Sequence, residues 1–96
     1  MIKEIAQFSI QPGMDGAFER VFKKSKHVLE DARGYVDATM LRGLEDPLSY
    51  TLIVTWKTLE DHVVHFLQSP AFEVWRDQFG PTLAAAPNVF HVQTVG

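Results

Sequence analysis

Two histidines three residues apart, His62 and His65, are the first side chains in this sequence whose type and spacing could do chemistry. Imidazole changes charge near neutral pH, so either residue could take a proton from a phenol. At that spacing on a helix they occupy neighbouring parts of one surface. The spacing also suits a metal pair, but no convincing third ligand accompanies it, so no metal is assigned. Each histidine reads equally as solvated or as a structural hydrogen-bonding group. Arg76, beside Trp75, could stabilise a phenolate, enolate or peroxide oxygen as charge develops. Its plainer role is a surface ion pair with Glu73 or Asp77. Trp56, Phe66, Phe72 and Trp75 could wall a flat aromatic ligand, although Trp56 also fits a core indole fixing helix against sheet. His27 falls on the outer side of the first helix, and the strand alternation leaves the facing of His91 open. Neither is assigned a catalytic role, and Tyr35 and Tyr50 read as packing residues.

The elements that must position these groups follow from periodicity. Ile2, Ala6, Phe8 and Ile10 alternate as in a strand, with Ile5 out of phase, which predicts one irregularity. Pro12-Gly13 marks a turn and Asp15 suits an N-cap. Over 15–33, Phe18, Val21, Phe22, Val28, Leu29 and Ala32 trace the apolar stripe of an amphipathic helix. Gly34 stands where a left-handed residue ends it, and a strand follows from Tyr35 to about Gly43. After Glu45-Asp46-Pro47, the run Ser49 to Trp56 is the densest β-branched and aromatic stretch and predicts a central strand with both faces substantially buried. Thr58 with Asp61 resembles a capping box and Ser69-Pro70 an N-cap followed by proline, so two helices are expected. The first should turn Leu59, His62, Val63 and Phe66 inward, and the second carries Phe72, Trp75, Arg76 and Phe79 within little more than two turns before Gly80-Pro81 ends or kinks it. Asn88 to Val95 alternates as a last strand.

Ninety-six residues make one domain, 1–96. A net charge of −3 and a pI near 5.7 leave no excess of Lys and Arg to neutralise phosphates, so nucleic acid is not an expected partner. The absence of cysteine removes disulfides, thiol nucleophiles and thiolate metal sites, and the cytoplasm is the expected location. No basic-then-apolar leader or spanning segment is recognised, so no membrane association is expected.

The order strand, helix, strand, strand, helices, strand predicts an α+β, ferredoxin-like four-stranded antiparallel sheet with helices on one face. Apolar residues such as Ile53 remain for the other face. A second copy placed sheet to sheet covers them, which predicts a homodimer in the form of a dimeric α+β barrel.

Tyr50 to Lys57, running into Thr58 to Phe72, resembles the antibiotic biosynthesis monooxygenase family: a strand ending in Trp, a capped helix with a histidine, a Ser-Pro break and a second helix. In that family's quinone-forming oxygenases, a Trp ends this strand, a hydroxyl or imidazole lies early in the next helix, and an Arg lies in the following one. These roles would fall on Trp56, His62 and Arg76. The family pattern also has an Asn four residues before the Trp, where this chain has Leu52. The haem-degrading branch needs an Asn and a His where Ala6 and Arg76 stand, so haem breakdown is disfavoured.

The resemblance implies a cofactor-independent monooxygenase acting with O2 on a small aromatic, quinol- or anthrone-like substrate. His62 or His65 would be the base, Arg76 the stabiliser of the peroxide, and Trp56, Phe66, Phe72 and Trp75 the substrate walls. No metal or organic cofactor is implied, because the ring supplies the electrons. Two alternatives use the same scaffold: an isomerase-type enzyme on a small carbonyl compound, and a small-molecule-binding dimeric module without catalysis.

Overall fold

Strict alternation along the first strand decides which way the sheet faces. In the computed structural model, which describes residues 1–96, Glu4, Ala6, Phe8 and Ile10 are buried on one side of β1 (Ile2–Ser9). Ile5 lies on the opposite side, and pairing with β3 (Ser49–Trp56) runs unbroken from Ile2 opposite Trp56 to Ser9 opposite Ser49. The irregularity expected at Ile5 is therefore absent. Ile5 simply belongs to the other face, and the sheet's register shift lies instead in β2 (Tyr35–Arg42), between Tyr35 and Asp37.

All neighbours are antiparallel, in the order β2-β3-β1-β4, with β4 spanning Asn88–Val92. This is the ferredoxin-like α+β arrangement. Helix α1 (Asp15–Glu30) packs Phe18 and Leu29 onto the sheet. Asp15 is not its N-cap, as Met14 takes that position without a side-chain cap bond. The Asp15 carboxylate sits in the first turn, where it meets the positive end of the helix dipole. Gly34 has φ +80, the left-handed conformation expected after the helix. It also lies so close to Asp61 that a Cβ would overlap that carboxylate.

The core is largely aromatic. The Phe18 ring lies 4.7 Å from Tyr50 and 5.3 Å from both Phe8 and Phe79, so strands β1 and β3, helix α1 and the C-terminal helix meet at one residue. Such pairs add about 0.5–1.5 kcal/mol each beyond simple area burial. The inner face of β3 is buried throughout, at Tyr50, Leu52, Val54 and Trp56. On its outer face only Thr55 is fully buried, and Thr51 and Ile53 are half-buried, so the two faces are not equivalent.

The segment after β3 departs from a regular α-helix. Thr58 Oγ1 accepts from the Asp61 N–H at 3.2 Å, as the cap spacing suggested. Residues Asp61–Phe66 then form a π-helical turn in which the Leu67 N–H donates to the His62 carbonyl at 2.9 Å. Leu59, expected inward, is exposed. Ser69 Oγ accepts from the Phe72 N–H at 3.3 Å, with Pro70 in the first turn of α2 (Pro70–Phe79), and a 3-10 turn over Gly80–Thr82 ends that helix.

Candidate active site

A carboxylate at an inward strand position is the unusual feature of this core. Glu4 on β1 is 7% exposed and sits opposite Val54 of β3 and His91 of β4. Trp56, closing the inner face of β3, donates its Nε1–H to Glu4 Oε1 at 3.0 Å. His62, from the π-helical turn, places Nε2 3.2 Å from the same oxygen. Its other ring nitrogen, Nδ1, is 2.8 Å from Nε2 of His91. Trp56 stacks on His62 with ring centres 5.2 Å apart and planes 20° apart, which fixes the imidazole plane. Four elements thus hold one polar chain, and no fully buried side-chain nitrogen or oxygen is without a partner.

Electrostatics follow from that burial. Desolvation pushes the Glu4 carboxyl up from 4.5 to about 7, against the downward pull of the Trp56 N–H. Desolvation, and to a lesser degree His91, pushes His62 down from 6.5 to about 4. Near neutral pH His62 is therefore uncharged, and Glu4 is poised between acid and carboxylate, the condition a general base requires.

The chain is linear. Glu4 and His91 meet opposite nitrogens of His62 and do not converge on one point, and no group of three acidic, His or Cys side chains is arranged to hold a metal ion. Such a line suits passing a proton more than enclosing a cation.

Beside Glu4 lies a cavity of about 370 Å³, lined mostly by apolar side chains. Ala6, Phe8 and Leu52 form its sheet floor and Phe66, Phe72 and Trp75 its helical wall. Both contacts to Glu4 fall on Oε1, so Oε2 is the oxygen left to a bound molecule.

The cavity gathers five of the seven residues singled out from sequence: His62, Phe66, Phe72, Trp75 and Arg76. Trp56 is not among its lining. Its indole is fully buried one layer back, its N–H committed to Glu4, so it positions the acid and imidazole instead of walling a ligand. His65 is exposed and faces a separate depression beside Arg33 and Ala71. The wider π turn rotates a residue three places on further from the face of His62 than an α-helix does. Arg76 stands at the cavity rim, largely exposed, 3.4 Å from Asp77 and over the Phe72 ring at 5.8 Å. Its surface pairing and a place beside the cavity therefore coexist.

Glu4 and His91 were not legible as site residues from residue type alone. The available signal was register. Glu4 falls in phase with Ile2, Ala6, Phe8 and Ile10, and His91 with Val89, so each is a polar side chain at an inward position.

A ferredoxin-like α+β domain with an acid and an imidazole beside an apolar cavity is the class that fold and site define. The sequence profile of the antibiotic biosynthesis monooxygenases matches residues 1–78, and the chain belongs to that family. It is 30% identical over 95 residues to the uncharacterised protein YczJ of Bacillus subtilis, covering 99% of this chain and all of YczJ. Among solved structures, a Bordetella bronchiseptica protein assigned provisionally to the same family is 38% identical, with a TM-score of 0.95 over 98% of this chain and 96% of that one. SnoaB of Streptomyces nogalater, a cofactor-independent oxygenase, shares the fold at 20% identity, with a TM-score of 0.79 over 98% of this chain and 94% of that one.

Proposed function

We propose that this chain is a cofactor-independent monooxygenase that oxidises a small aromatic, quinol- or anthrone-like substrate with O2. The observation that carries the reading is Glu4, a buried carboxyl poised near neutrality with its free oxygen beside an apolar cavity of about 370 Å³. Family membership and the activity of SnoaB support it. Glu4, oriented by His62 and Trp56, takes the acidic proton of the ring. In an anthrone this is a benzylic C–H, and the resulting carbanion passes an electron to O2. Recombination forms a C–O bond and a peroxide, whose charge Arg76 at the rim stabilises. Return of a proton and loss of water, with cleavage of the O–O bond and removal of the second C–H, leave the ketone of a quinone. One oxygen atom enters the product and one leaves as water, so no outside reductant is needed.

The base in this reading is Glu4, oriented by His62, because burial holds the His62 imidazole down at about 4 and His65 lies outside the cavity. We further place the enzyme in the cytoplasm as a homodimer. No helix is long and apolar enough to cross a membrane. The outer sheet face carries a diagonal apolar band, Leu41, Ile53, Ile5, Phe90 and Val92, suited to a second copy of itself.

One observation favours a second reading. Leu52, where the family pattern has an amide, lines the cavity floor, so no side-chain amide reaches O2 or substrate there. The Glu4–His62 pair alone could move a proton within a small carbonyl compound, as an isomerase does. Oxygen consumption by metal-free protein with anthrones, quinols and naphthols separates the two. Uptake lost in Glu4→Gln supports oxygenation, whereas no uptake above autoxidation across the panel sinks it.

A further inference from the structure

We infer that His62 and His91 form a proton exit from Glu4 to solvent, which lets Glu4 become a base while an apolar molecule fills the cavity. Glu4 in its acid form must lose a proton before it can accept one from a substrate, and an aromatic substrate covers its cavity side. Behind it the path is already built. Glu4 Oε1 lies 3.2 Å from His62 Nε2, and His62 Nδ1 lies 2.8 Å from His91 Nε2. His62 is 2% exposed, whereas His91 is half-buried on the edge strand β4, where its second ring nitrogen can exchange with water.

The protons balance without forming a buried imidazolium. With Glu4 ionised, a carboxylate can only accept, so His62 carries its hydrogen on Nε2. Its Nδ1 then accepts from His91 Nε2–H. With Glu4 protonated the chain reverses. Glu4 Oε1–H faces His62 Nε2, His62 Nδ1–H donates to His91 Nε2, and His91 carries its hydrogen on Nδ1. Moving between these states transfers one proton from Glu4 to Nε2 of His62, one from Nδ1 of His62 to Nε2 of His91, and one from Nδ1 of His91 to water. Both imidazoles change tautomer and neither changes charge.

The surroundings keep that path single. Trp56 Nε1–H is a donor only, so it steadies Glu4 without offering the proton another acceptor. The remaining groups against this part of the cavity are apolar, apart from Arg76 at the rim, which also cannot accept. The stacked Trp56 indole holds the His62 ring plane, so the proton moves along the chain without ring rotation.

This inference rests on Glu4 serving as the proposed base, but it is tested without oxygen turnover, so the two can fail separately. In ligand-free protein labelled with 15N at histidine, His62 and His91 should exchange their protonated and unprotonated ring nitrogens in step with Glu4 titration. A His62 tautomer that stays fixed through that titration overturns the exit. Under anaerobic conditions with saturating 2-naphthol, a pH jump followed through the Glu4 carboxyl infrared band should show ionisation slowed at least tenfold in His91→Ala. Added imidazole should restore the rate, a rescue that a merely unfolded variant cannot give. Equal rates in wild type and His91→Ala overturn the proposal. Oxygen uptake with an intact tautomer switch but no dependence on His91 would likewise confine the chain to a structural role.

Discussion

Glu4 and His62 approach to 3.2 Å in the interior, and their protonation is displaced in opposite directions. The acid is raised from 4.5 to about 7 and the base lowered from 6.5 to about 4, each chiefly by burial. Their effects on stability therefore oppose one another. A raised carboxyl makes the folded state the better proton binder, so its contribution falls as pH rises from 4.5 to 7. A lowered imidazole makes the unfolded state the better binder, so its contribution grows from pH 4 to 6.5. In wild type the two slopes nearly cancel between pH 4.5 and 6.5, and urea unfolding should be almost flat there. Removing either partner exposes the other. Glu4→Gln should gain about 3 kcal/mol on raising the pH through the histidine's window, and His62→Phe should lose about as much through the carboxyl's. Flat profiles in both variants would contradict the assigned burial of charge.

Trp56 should control Glu4 without touching substrate. Trp56→Phe removes the N–H donated at 3.0 Å, the one contact that draws the Glu4 carboxyl downward. Its titration, followed by 13C NMR of labelled glutamate, should move further up. Stability should fall by about 1–3 kcal/mol from the lost bond to a charged acceptor, with more for the space left by the smaller ring. A Glu4 titration unchanged in this variant would show that the indole only fills volume.

The same residues show how much was legible in the sequence. The β3 run, the Ser69-Pro70 start of α2 and the Gly34 terminator are local signals, and each occupies its expected place. The inward placement of His62, Phe66 and Trp75 also followed, because apolar periodicity reports which helical residues turn inward. What escaped was non-local. Alternation puts Glu4 in the inward phase of β1, but its partners Trp56 and His62 come from distant segments, and His91 gains meaning only from a ring brought by the π turn. The π turn itself has no marker in Asp61 to Phe66, and it is what carries His65 off the site.

Gly34→Ala should be costly for two independent reasons. The residue occupies φ +80, where a Cβ adds about 1–2 kcal/mol of strain. That Cβ would also overlap the Asp61 carboxylate at the start of the π turn, so the turn must shift. We expect destabilisation beyond 2 kcal/mol in chemical denaturation, with altered His62 resonances reporting the displaced turn. A variant as stable as wild type would mean that the β2 entry is free to rearrange.

Ile53→Glu tests the homodimer through the geometry of the outer sheet face. Cross-strand register places Thr39, Ile53, Ile5 and Phe90 in one row across all four strands. The flanking rows run Leu41, Thr51, Gln7 and Asn88 on one side and Asp37, Thr55, Lys3 and Val92 on the other, so the apolar band crosses the face diagonally from Leu41 to Val92. A continuous apolar diagonal with polar side chains in the two remaining corners fits the apolar core and polar rim of a protein interface. Phe90 and Val92 are 41% and 42% exposed in the single chain, apolar surface that a second copy would cover. A glutamate at Ile53 would place an unpaired charge on the middle of that row, while Gln7→Glu alters only its polar margin. Light scattering should therefore give a dimer for wild type and Gln7→Glu and a monomer for Ile53→Glu. The wild-type melting temperature should also rise with protein concentration, as mass action requires of a dimer. A wild-type chain that stays monomeric across the concentration range would remove the second copy as the cover for this face.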